Sequence, residues 1–110
     1  AYYSDERLKD FTGKIDNAVD KVKQLNGYYF KENQKAKKLG YKNDKQQVGV
    51  NAQEVQKVLP EVIDIAPISH TEGVDEEYLT VHYEKLVPLL IEAIKDQQRQ
   101  IDELNQRISA

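Results

Sequence analysis

The sequence contains no cysteine, no methionine and no tryptophan, and these absences narrow its chemistry. Without cysteine the chain forms no disulfide, has no thiol nucleophile and offers no thiolate to a metal. No apolar run approaches the roughly 20 residues of a membrane-spanning helix, and the first residues do not resemble a signal peptide. Because methionine is missing even at position 1, we expect the chain to be a processed or excised piece of a longer protein.

Neither sign of charge dominates, since the 110 residues carry 16 basic and 19 acidic side chains for a net charge of −3. The two signs are mixed along the sequence, so the surface has no general electrostatic attraction for nucleic acid or an acidic membrane. A hydrophobic content of 39% with 32% charged residues allows one modest core. We therefore expect a single domain with neither nucleic acid nor membrane among its partners.

Short periodic segments alternate with turn signals, which predicts an α+β fold. Asp16 or Asn17 can cap a short helix, and an Asn-Gly turn then leads into an aromatic strand at 28–30. A second helix is predicted to begin after a cap at Asn51 and to end before Pro60. Further strands are predicted at 48–50, 62–65 and 78–83.

The segment 31–47 is rich in lysine, asparagine and glutamine and has few apolar residues. We expect a long exposed loop or arm, which is either simply solvated or contacts a partner. A nucleic-acid contact is a remote alternative, because the segment lacks a stacking platform and a groove-reading helix. His70 and His82 have no third ligand at a recognisable spacing, so the sequence predicts no metal site and no cofactor.

Residues from about 84 to 108 are predicted to form one helix with a heptad repeat of apolar residues. The first half is apolar on several sides and can lie on its own domain, whereas the second half has only a narrow apolar stripe and should extend from the body and pair with copies of itself. Gln97 within the stripe would set the register, and the pattern alone does not fix the number of chains. The predicted seam consists of Val87, Leu90, Ile94, Gln97, Ile101, Leu104 and Ile108.

Ser4 and Lys9 stand five positions apart in the string "SDERLK". Five positions rotate a side chain by about 140° in an α-helix and place it on the opposite face of a strand, so regular structure cannot join the two groups. The string is either a solvated charged stretch or a catalytic pair. A catalytic pair requires a bend at 5–7 or a contact across subunits, and a buried site in which the lysine can lose its proton.

Four segments together resemble the C-terminal intramolecular chaperone domain of phage tail spikes and fibres, the family classed as S74 autoproteolytic peptidases. The resemblance covers almost the whole chain in order. The segments are "SDERLK" at 4–9, "LNGYYF" at 25–30, "VGVNAQEVQKVLPEVI" at 48–63 and "VHYEKLVPLLIEAIKDQ" at 81–97.

The resemblance implies an α+β domain with a small sheet, short helices and a long C-terminal helix that forms a trimeric coiled-coil-like bundle. Such a homotrimer assists folding of the preceding fibre or spike segment of its own chain and then cuts itself free in a single turnover. It would act in the host cytoplasm during phage assembly, and the parent protein would reside in the virion tail or an appendage. A fibre module that trimerises without cutting is the alternative.

The resemblance also implies roles for residues of the first segment. The cut falls on the Tyr3–Ser4 bond, with Ser4 as nucleophile and Lys9 as base. Residues 1–3 would then end the upstream fibre segment, and 4–110 would form the auto-processing domain. Asp5 and Arg7 are expected to hold the bend through hydrogen bonds or an ion pair rather than to do chemistry.

Overall fold

Short helices and strands precede one long helix in the computed structural model, which describes residues 3–109. Residues 1 and 2 of the predicted upstream segment lie outside the described residues, as does residue 110. The α+β class predicted from the sequence is confirmed. The helices are α1 (Ala18–Lys23), α2 (Gln34–Lys38), α3 (Ala52–Val58) and α4 (Val87–Ser109), and the strands are β1 (Tyr28–Phe30), β2 (Gln47–Gly49), β3 (Ile63–Ile65) and β4 (Leu79–Val81).

The strands form two separate antiparallel pairs, where the sequence suggested one small sheet. β1 pairs with β2, so that Tyr29 faces Val48, and β3 pairs with β4, so that Asp64 faces Thr80. Each strand is three residues long. Two strands of this length are not stable alone. The β3–β4 pair packs against α3, and the Tyr28 hydroxyl of β1 donates a hydrogen bond to Glu54 of α3.

The hydrophobic core lies where α1, α3 and the first half of α4 meet. Val55 of α3 and Leu89 of α4 are its largest fully buried side chains. Half-buried residues such as Ile15 and Val19 pack around it. The complete set of buried hydrophobic residues among those described is Ala18, Val55, Leu59, Val62, Leu89 and Ala93.

Two predicted helix caps have different outcomes. The Asn51 side chain accepts hydrogen bonds from the backbone N–H groups of Gln53 and Glu54 and caps α3 as predicted. Asn17 precedes α1, but its backbone is left-handed at φ 47° and its side chain makes no cap. Asp16 instead pairs with Lys21 at 3.1 Å, so the predicted side-chain cap of α1 is wrong.

The long helix α4 begins at Val87, after a 3₁₀ turn over Tyr83–Leu86, and not at about residue 84. Pro88 therefore occupies the first helical turn, where its missing N–H leaves no helical hydrogen bond unmade. All residues from 97 to 109 are exposed. The Cα radius of gyration is 18.6 Å, against about 13 Å for a compact domain of this length, because this half of α4 lies away from the core.

The segment 31–47 is not an unanchored loop, which corrects the prediction. Asn33 caps α2 by accepting from the backbone N–H of Ala36 at 2.9 Å. Lys35 Nζ lies 2.6 Å from a Glu76 carboxylate oxygen and 5.6 Å from the centre of the Tyr78 ring. Although the segment has few apolar residues, a charged contact and a cation–π contact hold α2 in place.

Gly49 stands where a larger residue would collide with its neighbours. A Cβ at this position would lie 2.9 Å from the Tyr83 hydroxyl oxygen and 3.0 Å from Phe30 Cε1. That hydroxyl also accepts a hydrogen bond from the backbone N–H of Val50. We expect Gly49→Ala to lower the free energy of unfolding in urea by about 1 kcal/mol, the low end of the overpacking range, because the side-chain ends that must shift are partly exposed.

Gly27→Ala is the matched control, because an added Cβ there meets nothing within 4 Å and the backbone has an ordinary φ. It should leave the free energy of unfolding nearly unchanged. Equal effects of the two substitutions would contradict the packing argument.

Candidate functional site

A single turn of 3₁₀ helix over Glu6–Leu8 separates Ser4 from Lys9. Asp5 caps this turn, and the backbone N–H of Leu8 donates to the Asp5 carbonyl at 3.0 Å. Asp5 and Lys9 have extended dihedral angles on either side of it. The backbone from 4 to 9 is therefore extended, turned and extended again. It is neither an α-helix nor a continuous strand, the two structures that would keep the side chains of Ser4 and Lys9 apart.

This bend brings the side chains of Ser4 and Lys9 together. Lys9 Nζ donates a hydrogen bond to Ser4 Oγ at 3.3 Å within one chain. Serine–base pairs in enzymes lie within about 2.6–3.2 Å and are often looser before the reacting complex forms. The charged amine is the donor in this geometry, and a neutral amine in the same place could accept the serine proton.

Asp5 and Arg7 hold the bend through three hydrogen bonds to one carboxylate. The Arg7 guanidinium donates from Nε to Asp5 Oδ1 at 3.0 Å and from Nη2 to Oδ2 at 2.7 Å. The Arg7 backbone N–H donates to Oδ1 at 2.9 Å. The guanidinium, and then this backbone N–H, lower the pKa of Asp5 below its ordinary value. The turn is thus fastened while Asp5 is ionised.

The site is open to water in the single chain. Every residue from 3 to 14 is exposed apart from Lys9, which is half-buried. The Tyr3 ring provides one neighbour, with its centre 5.7 Å from Lys9 Nζ. Lysine acts as a base only where its surroundings favour the neutral amine. The buried environment that we expected is therefore not provided by this chain alone.

The seven residues of the predicted seam lie along one stripe of α4 that the rest of the chain leaves exposed. The six apolar members each expose between 47% and 82% of their surface, and Gln97 between them is exposed as well. By contrast Leu89 and Ala93 of the same helix are buried against the body. The helix therefore has two apolar faces, of which the core covers only one.

The side chain of His82, one of the two histidines in the sequence, lies beside two carboxylates. His82 Nε2 is 3.3 Å from Asp64 Oδ2, and its Nδ1 is 3.6 Å from Glu84 Oε1. Within residues 3–109, no three histidine, aspartate or glutamate side chains come together in an arrangement that could hold a metal ion. Across the same residues no helix is both long and apolar enough to cross a membrane.

Three features near Lys9 were missed in the sequence. They are the Tyr3 ring beside the amine and the exposed apolar side chains of Leu8 and Phe11. No spacing rule connects Tyr3 to Lys9, because the contact depends on the turn between them. Leu8 and Phe11 interrupt an otherwise polar run. This interruption was the one signal in the sequence for an apolar contact near Lys9.

The N-terminal part of the chain matches a known family. The sequence model of the family described as chaperone of endosialidase, peptidase S74, matches residues 4–64. The match therefore begins at Ser4 and includes Lys9, and it covers more than half of the chain.

Curated relatives extend the similarity to almost the whole chain. The long tail fiber protein Gp37 of Enterobacteria phage K3 is 34% identical over 105 residues, which are 96% of this chain and 8% of the relative. Gp37 of Enterobacteria phage T2 is also 34% identical over 96% of this chain, which corresponds to 7% of that protein. Gp37 of Escherichia phage AR1 is 31% identical over 84% of the chain and 8% of the relative. The chain thus spans less than a tenth of the length of these relatives.

Proposed function

Because the chain belongs to the chaperone of endosialidase family, peptidase S74, we propose that it is a fibre-associated intramolecular chaperone that releases itself by cutting the Tyr3–Ser4 bond. In this proposal the parent protein is a phage tail fibre or spike, assembled in the host cytoplasm and carried in the virion tail. The names of the similar proteins, which are long tail fiber proteins, support this part of the proposal.

The observation that carries the proposal is the 3.3 Å contact between Lys9 Nζ and Ser4 Oγ at the start of the family match. Neutral Lys9 takes the hydroxyl proton while Ser4 Oγ attacks the carbonyl carbon of Tyr3. The Tyr3–Ser4 C–N bond breaks, the proton passes to the Ser4 nitrogen as it leaves, and an ester joins Tyr3 to Ser4 Oγ. Water then hydrolyses the ester to give the Tyr3 carboxylate and the free Ser4 hydroxyl. Each chain turns over once.

Trimer formation is the second part of the proposal. The exposed stripe on α4 is too narrow for a globular face and matches the a and d positions of a coiled coil. Six apolar side chains in contact with water along one stripe favour association with identical copies. A parallel homotrimer would place three upstream chains side by side, so that they start folding in register.

A trimerisation module that never cuts is the second candidate, and the exposure of Ser4 favours it. A denaturing gel of the longer parent chain separates the two candidates. The proposed function predicts two products, and Edman degradation of the C-terminal product should begin at Ser4. An assembled trimer whose chains stay intact would support the second candidate.

The Asp5–Arg7 pair offers a graded test of the bend. Arg7→Lys keeps the charge but loses the two-pronged contact, and an ion pair exposed to water contributes little to stability. We expect cleavage to slow by no more than about fivefold, far less than a loss of the dyad would cause. Arg107→Lys, at the far end of α4, is the matched control and should leave the cleavage rate unchanged.

The same pair predicts a pH dependence of the bend. Arg7 lowers the pKa of Asp5 from its ordinary value of 3.8. The contact therefore stabilises the turn fully at pH values above 3.8, and this stabilisation is lost as the pH falls through the lowered pKa of Asp5. In Arg7→Lys, the Asp5 carboxyl resonance should titrate at a higher pH by NMR. An unchanged titration would show that the guanidinium does not hold this carboxylate.

A further inference from the structure

The segment that carries the dyad also carries two large apolar side chains that its own body does not cover. Leu8 exposes 67% of its surface and Phe11 exposes 74%. Both lie within two residues of Lys9. The segment joins the body through Gly13, whose φ of 150° is a conformation that residues with a side chain rarely adopt. Two uncovered apolar groups beside a reactive lysine suggest that the segment packs on another surface.

A suitable surface lies at the start of α4. A shallow groove is lined by Ile15, Pro88 and Ile91, with Lys14 and Glu92 at its rim. Ile91 exposes 51% of its surface. In the heptad it lies beside the a and d positions, so pairing through the seam does not by itself cover it. The groove is therefore apolar surface that neither the core nor the seam accounts for.

The position of the groove favours a neighbouring copy as the source of the segment. The groove is continuous with the proposed interface, because Val87 and Leu90 of the seam belong to the same turns of α4 as Pro88 and Ile91. A copy held by the seam would thus already lie next to the groove.

We propose that Leu8 and Phe11 of one copy dock into the groove at Ile15, Pro88 and Ile91 of a neighbouring copy, and that this contact positions the Ser4–Lys9 dyad and removes water from it. The inference rests on the proposed trimer and self-cleavage. Leu8 and Phe11 are positioning residues, since they act through Lys9. Assembly is then coupled to cutting, because the lysine reaches its working environment only when a neighbour is present.

Disulfide trapping tests the docking without relying on cleavage. The chain has no cysteine, so a tagged Ser4→Ala chain with Phe11→Cys can be assembled with an untagged Ser4→Ala chain carrying Ile91→Cys. Mild oxidation should link the two chains into one band on a non-reducing gel, because bridged residues have Cα atoms about 4.4–6.8 Å apart. Tyr29→Cys in place of Phe11→Cys is the matched control, since Tyr29 is also apolar and 76% exposed, and it should form no link.

Two trapping results would overturn the inference. One is the absence of a link between Phe11→Cys and Ile91→Cys in assembled chains. The other is a link that forms only within a single chain carrying both cysteines, which would mean that the segment docks on its own body. Neither result bears on whether the wild-type chain cuts itself, because every chain in this experiment lacks the Ser4 hydroxyl.

Cleavage measurements test the positioning role. Phe11→Ser should leave the sedimentation coefficient unchanged, slow cleavage about tenfold at neutral pH and raise the pH of half-maximal cleavage by about one unit. Phe11→Leu should restore most of the rate, and Ile91→Ser should reproduce the defect of Phe11→Ser. A normal rate and pH profile in Phe11→Ser would overturn the inference while the proposed function stands. An uncut wild-type parent would overturn the proposed function, and the trapping result would still decide the docking.

Discussion

Ser4→Ala, Lys9→Met and the double variant should all abolish release at the Tyr3–Ser4 bond to nearly the same extent. Ser4→Ala removes the attacking oxygen, and Lys9→Met keeps a side chain of similar length without the base. Groups that act as one unit have strongly non-additive effects, so we expect each variant to lose about 10⁴-fold or more in the single-turnover rate. Intact-mass spectrometry of this chain would follow the loss of residues 1–3, and gels of the parent chain would follow release of the domain.

Lys23→Met is the matched control for the lysine substitution, because Lys23 is exposed on α1 and distant in sequence from the cut bond. It should leave the rate unchanged. Wild-type cleavage should accelerate with rising pH, since lysine accepts a proton only after losing its own. Continued cleavage by Lys9→Met, with the new N-terminus still at Ser4, would show that another group is the base.

Replacing Ile101 and Leu104 together with aspartate should convert the proposed trimer into monomers. Both side chains lie in the part of α4 that has no contact with the core, and about half of the surface of each is exposed in the single chain. Six carboxylates would face one another in a trimeric seam, at a cost of several kcal/mol per assembly. Sedimentation equilibrium should therefore give three chain masses for the wild type and one for the double variant.

The control for this substitution adds the same charge away from the seam. Gln106→Asp with Ser109→Asp places two carboxylates on other sides of the same helix, and the trimer should persist. Circular dichroism would establish that the Ile101→Asp/Leu104→Asp chain stays folded, which we expect because its core does not include these residues. A fully trimeric double variant would be incompatible with the proposed seam. A folded monomer should also fail to cut, since the dyad would lack its neighbour.

Local patterns in the sequence predicted those parts of the fold that depend on neighbouring residues alone. The cap at Asn51, the strand at 28–30 and the end of α3 before Pro60 were placed correctly. The cap and the helix end follow from hydrogen bonding and sterics within a few residues, and the strand was predicted from its aromatic residues after a turn. Asn17 shows the limit of this reasoning, because its backbone is left-handed and its side chain makes no cap, although its residue type and position favour one.

For the candidate site, the sequence predicted which residues stand in the pair but not how they meet. Spacing alone excluded a helix or strand between Ser4 and Lys9, and it left a bend within the chain and a contact across subunits equally open. The structure has the bend, because the Asp5 side chain both caps the 3₁₀ turn and binds Arg7. The exposure of Ser4 and Lys9 to water could not be predicted from their spacing, because it depends on which surfaces the rest of the chain covers.

The sequence by itself determined the α+β class and the apolar stripe along the long helix, because side-chain periodicity follows from the geometry of a helix or strand alone. Only the tertiary structure decided which face of α4 the core covers, that the strands form two pairs and that α2 is held by Glu76 and Tyr78. It also left Leu8 and Phe11 uncovered next to a water-exposed dyad, and Ile91 uncovered on α4. These features depend on residues far apart in the chain, and no local pattern records which distant surfaces meet.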